Sequence, residues 1–334
     1  MAHDSPQHGP LRSRRWFLGA TACALGHASL TRSASGHAGD AAGKLLVDPG
    51  AKPAEVRHSR SRFAIDGPIV HPEMFRELLE AAVAGLLGTQ SLSEAWKKLF
   101  RSDDIIGLKF NQSGQDVIAT TATVAEIFVD SLVRAGFPTR QIVCIEAPAS
   151  SVVHEVTTPA ARGYDTVSED FASGSDAFAR VLSQVTAIIN IPYLKTHNIT
   201  GLTCALKNLS HGLVKHPARY HKNGCCPYIA DINLHPRIRK KVRLCVVDAL
   251  RVVFDRGPEA SASTLSNEGI LLATTDPVAA DTVGLTILNE IRAARGLQPV
   301  ARSAAQVAYL ADAHRKGLGI AARHGIHVSY DRLS

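Results

Sequence analysis

Residues 188–209 read IINIPYLKTHNITGLTCALKNL. The stretch opens on Ile188, Ile189 and Ile191, a short β-branched run stopped by Pro192, which is how a strand buried on both faces reads. Its second half places Leu202, Ala205, Leu206, Leu209 and Leu213 at helical spacing and predicts a helix over residues 198–214. Between the two lie Lys195, Thr196 and His197. A strand, a polar connection and a helix in that order form the repeating unit of a parallel α/β sheet.

The same alternation extends in both directions. Pro72 opens a helical pattern to Leu87, with Phe75, Leu78, Leu79, Ala82 and Leu86 on one face. Ser91, with Glu94 three residues later, caps a second helix over residues 91–100. Strand patterns follow at 104–110 and 141–145 around a helix at 119–135. A helix at 176–184 leads to the strand at 186–191, and two more strands fall at 242–247 and 270–273. Pro277 then starts a long helix to about residue 295. The fold expected is α/β, a largely parallel sheet with helices on both faces and its ligand site at the carboxyl ends of the strands. Residues 39–62, rich in Ala, Gly, Pro, Arg and Ser, read as a linker, and residues 63–334 as a single α/β domain.

Polar side chains follow each apolar run: Lys109 and Asn111, Glu146, Lys195 and His197, Asp248, then Asp276 and Asp281. In the helix expected over 198–214, Thr203, Lys207 and His211 stand four apart and form a second stripe. Lys195, His197 and Lys207 are thereby placed to converge at a helix N-terminus and, with Lys109, to make a basic pocket suited to a carboxylate or phosphate. The alternative is that Lys207 and His211 decorate a solvated helix face. Gly201 belongs to neither glycine-rich phosphate-loop pattern.

Four segments in fixed order carry a resemblance. They are Asp-x-x-Gly-Leu-Lys-x-Asn at 104–111, the Lys-Thr-His run with its Lys-Asn-Leu helix at 188–209, Val-Asp-Ala-Leu at 247–250, and Asp-Pro-Val-Ala-x-Asp at 276–281. Over roughly residues 100–290 the chain resembles domain-of-unknown-function family 362. The resemblance implies an α/β fold and site positions at Lys109, Asn111, Lys195, His197, Lys207, Asn208, Asp248, Asp276 and Asp281. It implies little chemistry, because the family's activity is generally unassigned. Many relatives append a ferredoxin-like segment with cysteine-rich iron–sulfur motifs, a segment that this chain lacks.

Near the N-terminus, Ser13-Arg14-Arg15-Trp16-Phe17-Leu18 is a twin-arginine pattern followed by a weakly apolar stretch to Leu30. It predicts a signal peptide over residues 1–38, cleaved near Ala38, with the twin-arginine export machinery as partner and a periplasmic or extracellular destination. The apolar stretch of about 14 residues falls short of the roughly 20 that a membrane span needs, so no permanent anchor is expected. About 296 residues would remain, with 45% hydrophobic content and a mean hydropathy of +0.02 in the full chain, enough to bury a core and incompatible with wholesale disorder. The net charge of +7 falls to +4 once Arg12, Arg14, Arg15, Arg32 and Asp4 are set aside (33 basic against 29 acidic), too little to imply a nucleic-acid partner. Five cysteines lie beyond Ala38, at 144, 204, 225, 226 and 245, with no C-x-x-C pair, so no iron–sulfur or zinc-ribbon site is encoded.

Three readings of the chemistry stay open. In the first, an enzyme binds a small anionic substrate through Lys109, Asn111, Lys207, Asn208, Asp276 and Asp281, with Lys195 and Lys207 meeting its charge. Lys195, His197 and Asp248 are the catalytic candidates, His197 as general acid or base and Asp248 or Asp281 to orient the histidine or a metal. In the second, a divalent metal sits among His197, His211, His216, His221, His235 and the neighbouring Cys225 and Cys226, although Lys215, Arg219 and Lys222 interleave with them. The third is a non-catalytic accessory protein that holds an anion or cofactor, with the seven basic residues between Lys215 and Lys241 as its docking face.

Overall fold

A computed structural model describes residues 52–334 of the chain. The twin-arginine segment, the cleavage site and residues 39–51 of the expected linker lie outside the described residues. Ten strands make the main sheet: β1 (Ala54–Arg60), β2 (Ile106–Lys109), β3 (Ile142–Ile145), β4 (Val156–Thr157), β5 (Ala187–Asn190), β6 (Tyr193–His197), β7 (Gly201–Thr203), β8 (Val242–Val253), β9 (Leu265–Thr274) and β10 (Ile326–Arg332). The order across the sheet is β4-β3-β2-β5-β8-β9-β1-β10, with β6 paired to β8 and β7 paired to β6. Pairing is parallel throughout β4-β3-β2-β5-β8, between β6 and β8, and between β1 and β10. It is antiparallel for β8/β9, β9/β1 and β6/β7. The α/β class and the largely parallel sheet are as the sequence predicts.

Alternation along single strands shows why both faces are covered. In β8, Leu244 and Val246 join one apolar cluster while Cys245 and Val247 join another. In β9, Leu271 and Ala273 divide from Ile270 and Leu272 in the same way. The first cluster is closed by α1 (Pro72–Leu87), α2 (Leu92–Leu99) and α4 (Thr121–Arg134), α3 (Gln115–Ile118) being a single turn before α4. The second cluster is closed by α5 (Ala205–Ser210), α6 (Tyr228–Leu234), α7 (Pro277–Ala293) and α8 (Ala308–Arg315). Leu78, fully buried on α1, contributes about 1.5–3 kcal/mol by leaving water. The Ser91 side chain accepts the Glu94 N–H at 3.2 Å and starts α2, while the Glu94 carboxylate accepts the Gln90 N–H at 3.0 Å, one residue before the cap.

Three expectations are corrected. Ala54–Arg60, read as linker, is a sheet strand between β9 and β10. Its own sequence offers only Ala54 and Val56 as apolar residues, and its place comes from partners more than 200 residues away. The helix expected over 198–214 is a hairpin followed by a short helix. Gly201, at φ +82°, turns the chain so that β7 runs back along β6, and only Ala205–Ser210 is helical. The helix expected over 176–184 is confined to Val181–Gln184.

Candidate functional site

Register places the site. Lys109 at the end of β2 lies opposite Ile145 on β3 and Asn190 on β5, so three parallel strands finish at one level and their next residues enter one crevice. On β6, Tyr193, Lys195 and His197 share a face, and Thr203 of β7 stands opposite Lys195. Lys207 and Asn208 come from α5. These elements surround a cavity of about 500 Å³ whose walls include Asn111, Glu146, Lys195, His197, Thr203, Lys207, Asn208, His211 and His221. The sheet rim therefore gathers Lys109, Asn111, Lys195, His197, Lys207 and Asn208, six of the expected positions.

The three lysines are held differently. Lys109 is fully buried and its three N–H donors are occupied, by Phe110 O at 2.6 Å, Glu146 Oε2 at 2.9 Å and Asn208 Oδ1 at 3.1 Å. Asn208 in turn donates to Asn190 Oδ1 at 2.7 Å and to Lys109 O at 3.2 Å, and so ties α5 to two strand ends. Gly212 has to be glycine here, because a β-carbon would come within 2.6 Å of Asn208 O and 2.8 Å of Lys109 Nζ. Lys195 Nζ donates to Ser113 O at 2.7 Å and reaches Asn111 Oδ1 at 3.4 Å. Burial, then the charge of Lys207, pushes its pKa down to about 8. Lys207 Nζ meets His221 Nε2 at 3.2 Å, and burial lowers its pKa as well. Among the described residues neither Lys195 nor Lys207 forms an ion pair, and Glu146 is the one carboxylate in the cavity wall.

His197 has a fixed tautomer. Its Nδ1 accepts the backbone N–H groups of Ile199 at 3.1 Å and Thr200 at 3.4 Å, which puts the ring proton on Nε2. Burial first and then the charge of Lys207 lower its pKa to about 3. A pKa held that low favours the neutral imidazole, whose Nε2–H is the group left to donate.

The three aspartates stand elsewhere. β8 continues to Val253, so Asp248 is inside a strand and not at its end. Its Oδ2 accepts from Thr120 Oγ1 at 2.5 Å and its Oδ1 from Leu250 N at 3.1 Å, so its hydrogen bonds go to these groups and not to His197. Asp276 caps α7 by accepting from Val278 N and Ala279 N, and holds Ile320 N at 2.8 Å. Asp281 reaches from α7 to the start of α5, where Oδ1 accepts Ala205 N at 2.6 Å and Oδ2 accepts Tyr309 Oη at 2.9 Å. Burial raises all three, Asp248 to about 6 and Asp281 to about 7.

Of the five clustered histidines, His197, His211 and His221 meet at the cavity. His216 pairs with Asp176 at 2.8 Å, and His235 accepts from Arg237 N and stacks on Phe178. Cys225 is buried within reach of His211 and His221, and all five described cysteines are free thiols. Glu146 and Thr203 line the cavity without being among the expected binding or catalytic residues, whereas His211 and His221 line it and, with the buried Cys225, belong to the expected metal cluster. Glu146 stood at a strand end, and its φ of +64°, rare for a residue with a β-carbon, marks a backbone held under constraint.

No curated protein matches the chain. Two solved structures are similar in fold. One is a protein from Thermotoga maritima, at 12% identity and a TM-score of 0.42, covering 68% of this chain and 60% of its own. The other is the lactate racemase apoprotein from Thermoanaerobacterium thermosaccharolyticum, at 10% identity and a TM-score of 0.43, covering 72% of this chain and 58% of its own. The chain thus spans about 60% of the length of these neighbours. The model of DUF362, a domain of unknown function, matches residues 146–286, which run from the Glu146 wall of the cavity to the middle of α7, so the family resembled in sequence is the family matched over this part of the chain.

Proposed function

We propose that the protein is an enzyme acting on a small carboxylate or phosphate anion bound between Lys195 and Lys207, with Lys195 moving the proton and His197 donating its Nε2–H to the substrate. The observation that carries this reading is the charge balance of the cavity. Two ammonium groups, those of Lys195 and Lys207, line it, and its one carboxylate, Glu146, is committed to the buried Lys109 behind the wall. At an effective dielectric of about 20, an anion about 4 Å from one ammonium gains about 4 kcal/mol, well above the about 1 kcal/mol of a contact in bulk water. Catalysis is favoured over simple retention because the pKa of Lys195 lies near 8, where it can both take and return a proton. Asn111 and Asn208 are positioning residues for Lys195 and Lys109. As part of the same proposal, the twin-arginine pattern at residues 13–18 supports export of the protein to the periplasm or beyond.

Thermal melting in the presence of inorganic phosphate or acetate tests the reading. The wild-type protein is expected to be stabilised by at least one of the two, and Lys195→Ala and His197→Ala to fold normally while losing about tenfold in affinity, equivalent to about 1.4 kcal/mol. Undiminished affinity in both variants would end the assignment.

A further inference from the structure

His211, His221 and Cys225 each bring one donor atom within 4.8 Å of the other two. His211 follows α5, and the other two belong to the segment Pro217–Cys225. The two imidazole rings stand at 78° with their centroids 4.7 Å apart. Hydrogen bonding decides where their lone pairs lie. The Ser210 hydroxyl gives its proton to Leu206 O at 3.0 Å, so its oxygen accepts from His211 Nδ1 at 3.1 Å and the lone pair is left on His211 Nε2. That Nε2 is buried and no hydrogen-bond partner reaches it. His221 Nδ1 lies 3.2 Å from Pro217 O, which can only accept, so its lone pair is also on Nε2 and faces Lys207 Nζ.

An Nδ1–H held by a hydroxyl or a backbone carbonyl is how proteins prepare histidine to ligate a metal through Nε2; that atom is bare in His211 and met by Lys207 Nζ in His221. His197 is prepared the other way round, with its proton on Nε2, and is not one of the three ligands. The Cys225 thiol is buried, and its backbone sits at φ +62°, next to Asn223 at +52° and Gly224 at +64°, a conformation rare for residues with a β-carbon.

The geometry points to a site for one divalent transition-metal ion of zinc type, held by His211, His221 and Cys225 with a fourth position open to the cavity. Two imidazoles and a thiolate suit zinc or cobalt, and three protein ligands with one open position is the pattern of a reactive centre. Metal–nitrogen bonds of about 2.0 Å and a metal–sulfur bond of about 2.3 Å put the donors about 3.5 Å apart, so they must draw in by about 1 Å. Binding releases one proton, that of the Cys225 thiol, and the ion takes the place of Lys207 Nζ at the His221 lone pair, from which the ammonium must withdraw. The site stands on two lone pairs and a thiol and does not require an anion in the cavity.

Cobalt(II), added alone to the full-length, chelator-treated protein, tests it. The expected result is one ion per chain with the visible bands of four-coordinate cobalt and a thiolate-to-cobalt charge-transfer band. Cys225→Ser should lose the charge-transfer band, His211→Gln should bind at least about tenfold more weakly, and Lys195→Ala should keep both bands. Absence of bands at stoichiometric cobalt overturns the site, as does a charge-transfer band that survives Cys225→Ser. Should Cys225→Ser not fold, unchanged cobalt affinity in folded His211→Gln and His221→Gln overturns it as well. Because no anion is present, this outcome is separate from the phosphate and acetate measurement.

Discussion

Lys195 and Asp281 are both shut away from water, and their surroundings are opposite. The carboxylate of Asp281 is met on both oxygens, by the first N–H groups of α5 and by the Tyr309 hydroxyl. Lys195 has one good acceptor, Ser113 O, and a long contact to Asn111, and it faces a cavity shared with Lys207. Asp281 ties α7 to the start of α5 and to α8, a structural task finished within the protein. Lys195 is left short of counter-charge, and an outside group can supply it. Burial of charge alone therefore does not mark a site, whereas burial with partners missing does.

Measurements on Asp281 should break this contrast most readily. Asp281→Ala strips the cap from α5 and leaves a buried Tyr309 hydroxyl alone, and is expected to lower unfolding free energy in urea by about 3 kcal/mol, with phosphate or acetate response intact in the folded fraction. A loss of that response would move Asp281 into the site. The milder Asp281→Asn should act through pH. The folded pKa values of Asp248 and Asp281, about 6 and about 7, are raised from 3.8, so the stability of their protonated forms is complete below about pH 4 and is lost as the pH rises through 7. The variant should flatten that decline.

Lys195 should behave in the reverse sense. Its folded pKa is lowered from 10.5 to about 8, so its cost to stability builds as the pH falls from 10.5 to about 8 and is complete below that, and Lys195→Met is expected to melt higher than wild type at pH 7 and to lose that advantage only above pH 10.5. A lower melting temperature at pH 7 would show that the ammonium is fully partnered and would erase the contrast. The smallest effect is expected at Thr203, whose buried hydroxyl has no hydrogen-bond partner. Thr203→Val should leave stability unchanged or raise it by up to about 1 kcal/mol, and should weaken phosphate or acetate binding only a few-fold.

The sequence showed the lysines and misplaced the aspartates for one reason. A polar residue that ends an apolar run on a short, four-residue strand such as β2 or β5 does stand at the sheet rim, and Lys109 and Asn111 were legible on that basis. Val247-Asp248 looked the same, but β8 runs on for twelve residues and Asp248 is enclosed within it. Asp281 is four residues into a helix whose partner helix lies 70 positions earlier, a juxtaposition that no local pattern reveals. The hairpin of β6 and β7 was hidden because Leu202, Ala205, Leu206 and Leu209 mimic one helical face, and the left-handed Gly201 was the one local sign of the turn. His211 and His221 were visible as histidines in a dense run, but their pairing depends on the irregular path of Pro217–Cys225.

The position of that hairpin has a mechanical consequence. Lys109 rides on a strand clamped between two parallel neighbours, whereas Lys195 and His197 ride on a ribbon fastened to the sheet along the β8 edge alone, with β7 as its outer rim. One wall of the chamber is paired on both sides and the other, beyond its ties to Gly257, on one. A guest that bridges Lys195 to α5 would stitch the ribbon down, and slower amide hydrogen exchange at Leu202 and Thr203 would report its arrival without any knowledge of what it becomes.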